Sequence, residues 1–322
     1  MPLYAGSPIS GPAALETPPP ASPVLGPVWS EDVGSMVATW TDPTGVVWEL
    51  SDTSDDRGYF TTQEIAGWGA MPYEIVTDPI SRGGESVRFI REQPARVTWP
   101  LYIWGETHMQ FVQRYQQLRR AIMMTVHRGL PGTLTVARPD GTARSISCFY
   151  EDGFGGEGGE NWLFANPVLT LFCPDGAWRD VEQLVEQRTY GATASFYSPF
   201  LTISSSQVLG LTTVNNPGEL TAWPDWTITG PCTGLTATNH TTGQTFSITY
   251  TLLAGEQITI VTGTNRPTVR GPAGQNLVSA LNWPTAYLWG LVPDINNVEF
   301  AVAGSGAGSQ IQLAFHPRYA GA

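Results

Sequence analysis

The chain has no lysine; all 16 of its basic residues are arginine. Charge is scarce altogether, at 14% of 322 residues, and its balance is acidic, −12 overall. A net-acidic chain argues against gripping a nucleic-acid backbone, which needs clustered cations facing the polyanion. Cysteine is as sparse. Cys148, Cys173 and Cys232 are too few and too scattered for a disulfide framework, and the odd number leaves one over. No run of about 18 apolar residues occurs, so no membrane insertion is expected. The first residues lack a basic stretch followed by an apolar one, so no signal peptide is expected, and synthesis in the cytoplasm follows.

Catalytic groupings are missing too. The four histidines (His108, His127, His240 and His316) stand apart, without the spacing that gathers metal ligands. No GxSxG elbow occurs, and Cys148, in an alternating strand with no histidine near it, is expected to be an inert buried thiol. Glu85, Glu92, Asp152 and Glu157 offer carboxylates, but nothing in the sequence pairs them as glycoside hydrolysis requires. The glycine-rich EDGFGGEGGENW is followed by no helix, and its acids would repel phosphate, which rejects a nucleotide loop. No catalytic residue, metal site or cofactor is expected.

What the chain has in quantity is 35 glycines, 26 prolines and 12 tryptophans. Many turn-formers, many aromatics and little charge fit a mainly β protein, and the length suits about two domains. The strongest local signals lie between Ser86 and Tyr150. SVRFIREQPARVTWPLYIWG carries the β-branched and aromatic residues of strands. Thr107 and Gln110 form a capping box before a helix. Phe111, Tyr115, Leu118 and Ile122 share its inner face, opposite Gln113, Arg114, Gln117 and Arg120, and Gly129 and Pro131 end it. GTLTVARPDGTARSISCFY then gives a hairpin around Pro139-Asp140-Gly141.

The same region holds ten of the arginines against four acids between Arg82 and Arg144, about +6, so the remainder carries about −18. That asymmetry suggests complementary contacts between copies or with partners, with Arg88, Arg91, Arg96, Arg114 and Arg120 as candidate interface residues. Before it, residues 1–30 form a Pro-rich arm, and TDPTGVVWEL is a hairpin turning at Asp42-Pro43-Thr44-Gly45. We place a first domain at 31–190, with one packed helix, a linker at 191–199, and a second domain at 200–322. Only eight charged residues fall in that last part. Its short β-rich runs, spaced by Gly, Asn and Pro, fit an antiparallel β-sandwich.

With those segments in place, the sequence resembles the distal tail protein family of long-tailed phages, the siphovirus-type minor tail proteins, in an actinobacteriophage-like form. TDPTGVVWEL, RFIREQPARVTWPLYIWG with FVQRYQQLRRAI, GTLTVARPDGTARSISCFYEDGF, NNPGELTAWPDWTITGP and NHTTGQTFSITYTLLAGEQITI carry the resemblance in that order. It departs at Pro293-Asp294-Ile295-Asn296, where relatives tend to have Pro-Gly-x-Asn. The resemblance implies an α+β ring-forming domain followed by a galectin-like sandwich. It also implies a homo-oligomer, a hexameric ring in the virion tail tip joining the tail tube protein to the hub and tail-associated lysin. DNA would pass through such a ring without specific binding, past acidic loops such as Asp52–Asp56 and Glu151–Glu160. The expected partners extend to a receptor-binding protein or cell-surface glycan, and the alternative is a carbohydrate-binding host-receptor module of the tail tip acting through the C-terminal sandwich, with Trp223 and Trp226 as candidate stacking residues.

Overall fold

A computed structural model describes residues 36–51, 58–62, 65–155, 163–190, 210–263 and 266–322. The expected N-terminal arm (1–30), the linker (191–199), the Asp52–Asp56 loop, Glu157 and Glu160 lie outside the described residues. Every strand pair within them is antiparallel, and the fold is mainly β with a single α-helix.

The first domain carries β1 (Val37–Thr41), β2 (Val47–Glu49), β3 (Tyr59–Thr61), β4 (Tyr73–Pro79), β5 (Glu85–Glu92) and β6 (Ala95–Trp104). Helix α1 (His108–Arg128) follows, then β7 (Gly132–Ala137), β8 (Ala143–Asp152), β9 (Phe164–Ala165), β10 (Val168–Cys173) and β11 (Trp178–Asp180). Seven of these run in the order β2-β1-β7-β8-β10-β6-β3, with β9 paired to β6 and β11 to β8. Strand β6 shows how the sequence specifies a buried face. Ala95, Val97, Trp99, Leu101 and Ile103, at every second position, are all buried, as period-2 alternation requires.

The turns are built by short polar side chains. Asp42, itself buried, accepts hydrogen bonds on Oδ1 from the Thr44 and Val46 amides (2.8 and 3.2 Å) and on Oδ2 from Trp48 Nε1 (3.3 Å). At the second hairpin, Asp140 Oδ1 accepts the Thr142 amide at 2.9 Å, the Asx turn its sequence predicts.

Helix α1 starts where the capping residues put it, with one difference. Thr107 Oγ1 accepts the Gln110 amide at 3.2 Å, but the Gln110 side chain reaches the Glu106 amide (2.7 Å), one residue earlier than a standard capping box. Gly129 ends the helix at φ 65°, a left-handed conformation that glycine adopts without Cβ strain. Leu118 and Ile122 are fully buried, whereas Phe111 and Tyr115 pack partly buried at the core's margin. Thr125, on the same face, accepts the Tyr150 amide at 3.0 Å and so ties the helix to β8.

The second domain contains β12 (Leu184–Thr189), β13 (Leu211–Asn216), β14 (Asp225–Thr229), β15 (Cys232–Asn239), β16 (Gln244–Leu252) and β17 (Gln257–Val261). β18 (Thr268–Arg270), a 3-10 turn (Val278–Ala280), β19 (Asp294–Ala303), β20 (Gln310–Phe315) and β21 (Arg318–Tyr319) complete the chain. Two sheets, β12-β20-β14-β17-β18 and β13-β19-β15-β16, share one apolar core. Its centre is Trp226, edge-on to Phe246, Trp289 and Phe300 at centroid distances of 5.2, 4.8 and 5.7 Å.

Two boundaries differ from the sequence reading. Strand β12 pairs along its whole length with β20 and so belongs to the sandwich, although it lies before residue 190. Strand β21 leaves the sandwich and pairs with β11 of the first domain. The chain's last residues are held there by arginines. Arg144 Nη1 donates to the Gly321 carbonyl (2.6 Å), and Arg138 donates to that of Ala322. The six-residue strand at 184–189 resembles a connector because none of its residues is fully buried, and its two half-buried ones, Glu186 and Arg188, are charged and pair with each other at 2.6 Å.

Candidate assembly surface

Strands β4 and β5 form a two-stranded hairpin that, among the described residues, pairs with no third strand. Its base is closed by the Gln93 amide, which donates to Pro72 O at 2.9 Å, and Glu92 takes Arg318 Nη2 of β21 at 2.9 Å. Beyond the base, all eight residues of β5 are exposed. Apolar side chains are among them: Ile75 (57% exposed), Val87 (55%) and Ile90 (58%), with Tyr73, Ile80 and Phe89 close behind. Ile75 stands opposite Ile90, and Val76 opposite Phe89, so successive cross-strand apolar pairs fall on opposite faces. An isolated two-stranded hairpin is marginal in water, and clustered exposed apolar residues rimmed by charge mark contact surfaces.

The charges on this surface are already matched. Arg88 grips Asp78 with Nε and Nη2 (2.8 and 2.5 Å), Arg91 Nε meets Glu74 at 2.5 Å, and Arg96 grips Glu151 at 2.7 and 2.9 Å. The hydrogen bond from Arg96 holds the Glu151 carboxyl below its usual value, and the same bond raises Arg96. Exposed pairs of this kind stabilise by only about 0–1 kcal/mol. Each of the three arginines thus has a partner within the chain, held by a bond weak enough to exchange.

Arg114 also departs from its expected place on the outer helix face. It is half-buried, donates to the Trp104 carbonyl at 2.9 Å and lies over the Trp104 ring at 5.3 Å. A Cβ on Gly58 would sit 2.0 Å from its guanidinium, so a side chain there would push Arg114 aside. Of the five arginines, Arg120 alone sits exposed on α1 with no ion pair shown among the described residues.

The two tryptophans proposed to stack on sugars part company. Trp226 is 1% exposed at the centre of the sandwich core and has no free ring face. Trp223 is 39% exposed and lines an open cleft of about 480 Å³ between the domains, with Asp175, Arg179, Asp225, Thr262 and His316. Asp175 is engaged by Arg179 (2.5 Å) and Arg318 (3.1 Å), and Asp225 by the Thr262 amide (3.0 Å). Among the described residues no group of three or more His, Cys, Asp or Glu converges as a metal site, and no helix is long and apolar enough to cross a membrane.

Sequence reasoning missed the hairpin as a separate surface, since its composition is that of a strand. The usable signal was charge placement. Glu85 and Arg91 fall on one parity of β5, Arg88 and Glu92 on the other, so burying either face within one chain would bury charge.

The architecture is thus a mixed domain with a projecting hairpin, followed by a sandwich whose last strand returns to the first domain. The fold is similar to that of solved phage structures. The crystal structure of the Dit protein (gp 19.1) of phage SPP1, described as a paradigm of the hub adsorption apparatus of phages infecting Gram-positive bacteria, superposes with a TM-score of 0.62. Identity is 15%, over 88% of this chain and 99% of that one. Chains of the phage P2 baseplate, in its activated conformation with Ca or with Sr, each match at a TM-score of 0.50 and 13% identity, over 87% of this chain and 98% of theirs. At these identities the likeness is one of fold. No protein-family model matches the chain, and no curated protein matches it.

Proposed function

We propose that this protein is a structural component of a phage tail tip. In this reading copies close into a ring, a hexamer, that joins the distal end of the tail tube to the hub and carries host-recognition components. The observation that carries it is the β4–β5 hairpin, an apolar, two-faced projection on a chain of which 88% matches the Dit fold. A closed ring needs a heterologous contact, in which one patch meets a different patch on the next copy. A hairpin anchored at its base and unpaired along both edges suits that contact, because it offers free backbone groups as well as apolar side chains.

The contact in this reading is apolar at its centre, with the arginines, each paired weakly within the chain, at its rim. Association should persist at high salt, which screens exposed charge pairs but strengthens burial of apolar surface. In this reading the first domain lies inside the ring and the sandwich outside it. Mass measurement of the purified chain tests the ring, and Phe89→Glu with Ile90→Glu tests the hairpin's part in it.

Trp223 favours a second reading for the sandwich side, a glycan contact in the cleft, since an exposed indole can stack on a sugar ring. Glycan-array binding lost in Trp223→Ala would support it. Trp226→Ala would not serve, because it removes the centre of the core.

A further inference from the structure

Cys148 and Cys173, distant in sequence, meet in the middle of the first domain. Cys148 lies on β8 and Cys173 ends β10, the strand beside it. The pairing Phe149↔Phe172 puts the two cysteines at the next opposed position. Their Sγ atoms are 3.0 Å apart, and both side chains are fully buried. Directly opposed residues of antiparallel strands have Cα atoms about 4.5–5.5 Å apart, inside the range of about 4.4–6.8 Å that disulfides span. The thiols also make long contacts to the Ile146 and Leu171 carbonyls, at 3.6 and 3.8 Å, and Cys148 takes a backbone hydrogen bond from Leu134.

We propose that Cys148 and Cys173 are a disulfide site, reduced during synthesis and closed once the protein meets a soluble disulfide outside a reducing cytosol. In the first step one cysteine thiolate attacks the low-molecular-weight disulfide, forming a mixed disulfide and releasing one small thiolate. In the second, the other cysteine thiolate attacks the protein sulfur of that mixed disulfide and releases the second small thiolate. The two protons lost by the cysteines go to the released thiolates. The cysteines are oxidised and the small disulfide is reduced to two thiols.

Burial, helped by the neighbouring Cys173, pushes the Cys148 thiol well above its ordinary value. Native Cys148 is accordingly a poor nucleophile, and exchange proceeds through opened states rather than in the closed core. Once formed, the bond is shielded by the same burial. It staples β8 to β10 across a loop whose ends are 25 residues apart, which restricts the unfolded chain and raises the melting temperature. Cys232 lies in the sandwich, in the other core, and stays a thiol. The inference rests on strand geometry and is independent of the tail-tip reading.

The test equilibrates the full-length chain with oxidised glutathione at a temperature near the foot of its unfolding transition, then removes the reagent. Intact mass and a non-reducing peptide map are compared with those of a reduced sample. The expected result is a loss of two hydrogens, a map joining Cys148 to Cys173, one titratable thiol under denaturing conditions, and a higher melting temperature than the reduced sample. Cys148→Ala should show neither the mass loss nor the shift. Because that variant also removes a buried core atom, the wild-type comparison alone decides the matter. Three free thiols after equilibration, glutathione adducts on both cysteines without a cross-link, or a map joining Cys232 to either would overturn the proposal.

Discussion

Asp294 sits at φ 69°, the one non-glycine residue with positive φ among those described. It begins β19 at the turn where phage relatives were expected to carry glycine. The turn survives the exchange because Asn296, fully buried, holds it from inside: its side chain donates to the Val292 carbonyl (2.7 Å) and the Asp294 carbonyl (3.1 Å) and accepts the Val292 amide (3.0 Å). Aspartate tolerates the left-handed region better than most residues, at a cost that glycine avoids. Asp294→Gly should therefore stabilise the protein by up to about 1 kcal/mol in chemical denaturation, and Asp294→Val should destabilise it by about 1–2 kcal/mol. A second residue-scale expectation concerns Glu151. Its folded-state value is depressed, so the pair with Arg96 contributes above the unfolded carboxylate value and is lost as pH falls through the folded one. In Arg96→Ala, the Glu151 carboxyl followed by NMR should titrate at higher pH than in the wild type. An unchanged midpoint would contradict the attribution to Arg96.

At the scale of the element, helix and hairpin make opposite cases. Leu118 is fully buried between α1 and the sheet, so Leu118→Ala should cost about 2–5 kcal/mol in urea unfolding. The helix was legible in the sequence because three independent signals agreed: Thr107 at its start, the spacing from Phe111 to Ile122, and Gly129 at its end. Thr125 was not, since a polar residue on the inner face gains its meaning only from the Tyr150 amide it meets in space. Composition alone could not separate β5 from β6. Both carry aromatic and β-branched residues, yet Val97 and Trp99 are buried while Val87 and Phe89 are exposed. Trp226 and Trp223 divide in the same way, three residues apart on either side of the strand's start.

Across the whole molecule, the two domains are closed on each other by the chain's end. Arg318, with only 8% of its side chain exposed, reaches Glu92 at the hairpin's base (2.9 Å), Asp175 (3.1 Å) and the Thr221 carbonyl (2.9 Å). Removing one partner of a fully buried ion pair costs about 3–5 kcal/mol. Here both carboxylates stay about one-third exposed and can rehydrate, so Arg318→Ala should cost roughly 2–3 kcal/mol in denaturant unfolding, less than that range. This closure was invisible in the sequence, where a short RY pair near the end gives no sign of which sheet it joins. It also rules out dividing the chain at residue 190, since that cut separates β12 from β20 and β21 from β11.

Closed self-association through the hairpin is the central claim, and native mass spectrometry of the full-length protein tests it most directly. The account predicts one closed oligomer, a hexamer, at both low and high salt. In the Phe89→Glu, Ile90→Glu variant, whose substituted positions are already exposed, it predicts a folded monomer. A wild-type chain that stays monomeric at every concentration, or a variant that assembles as the wild type does, would contradict it.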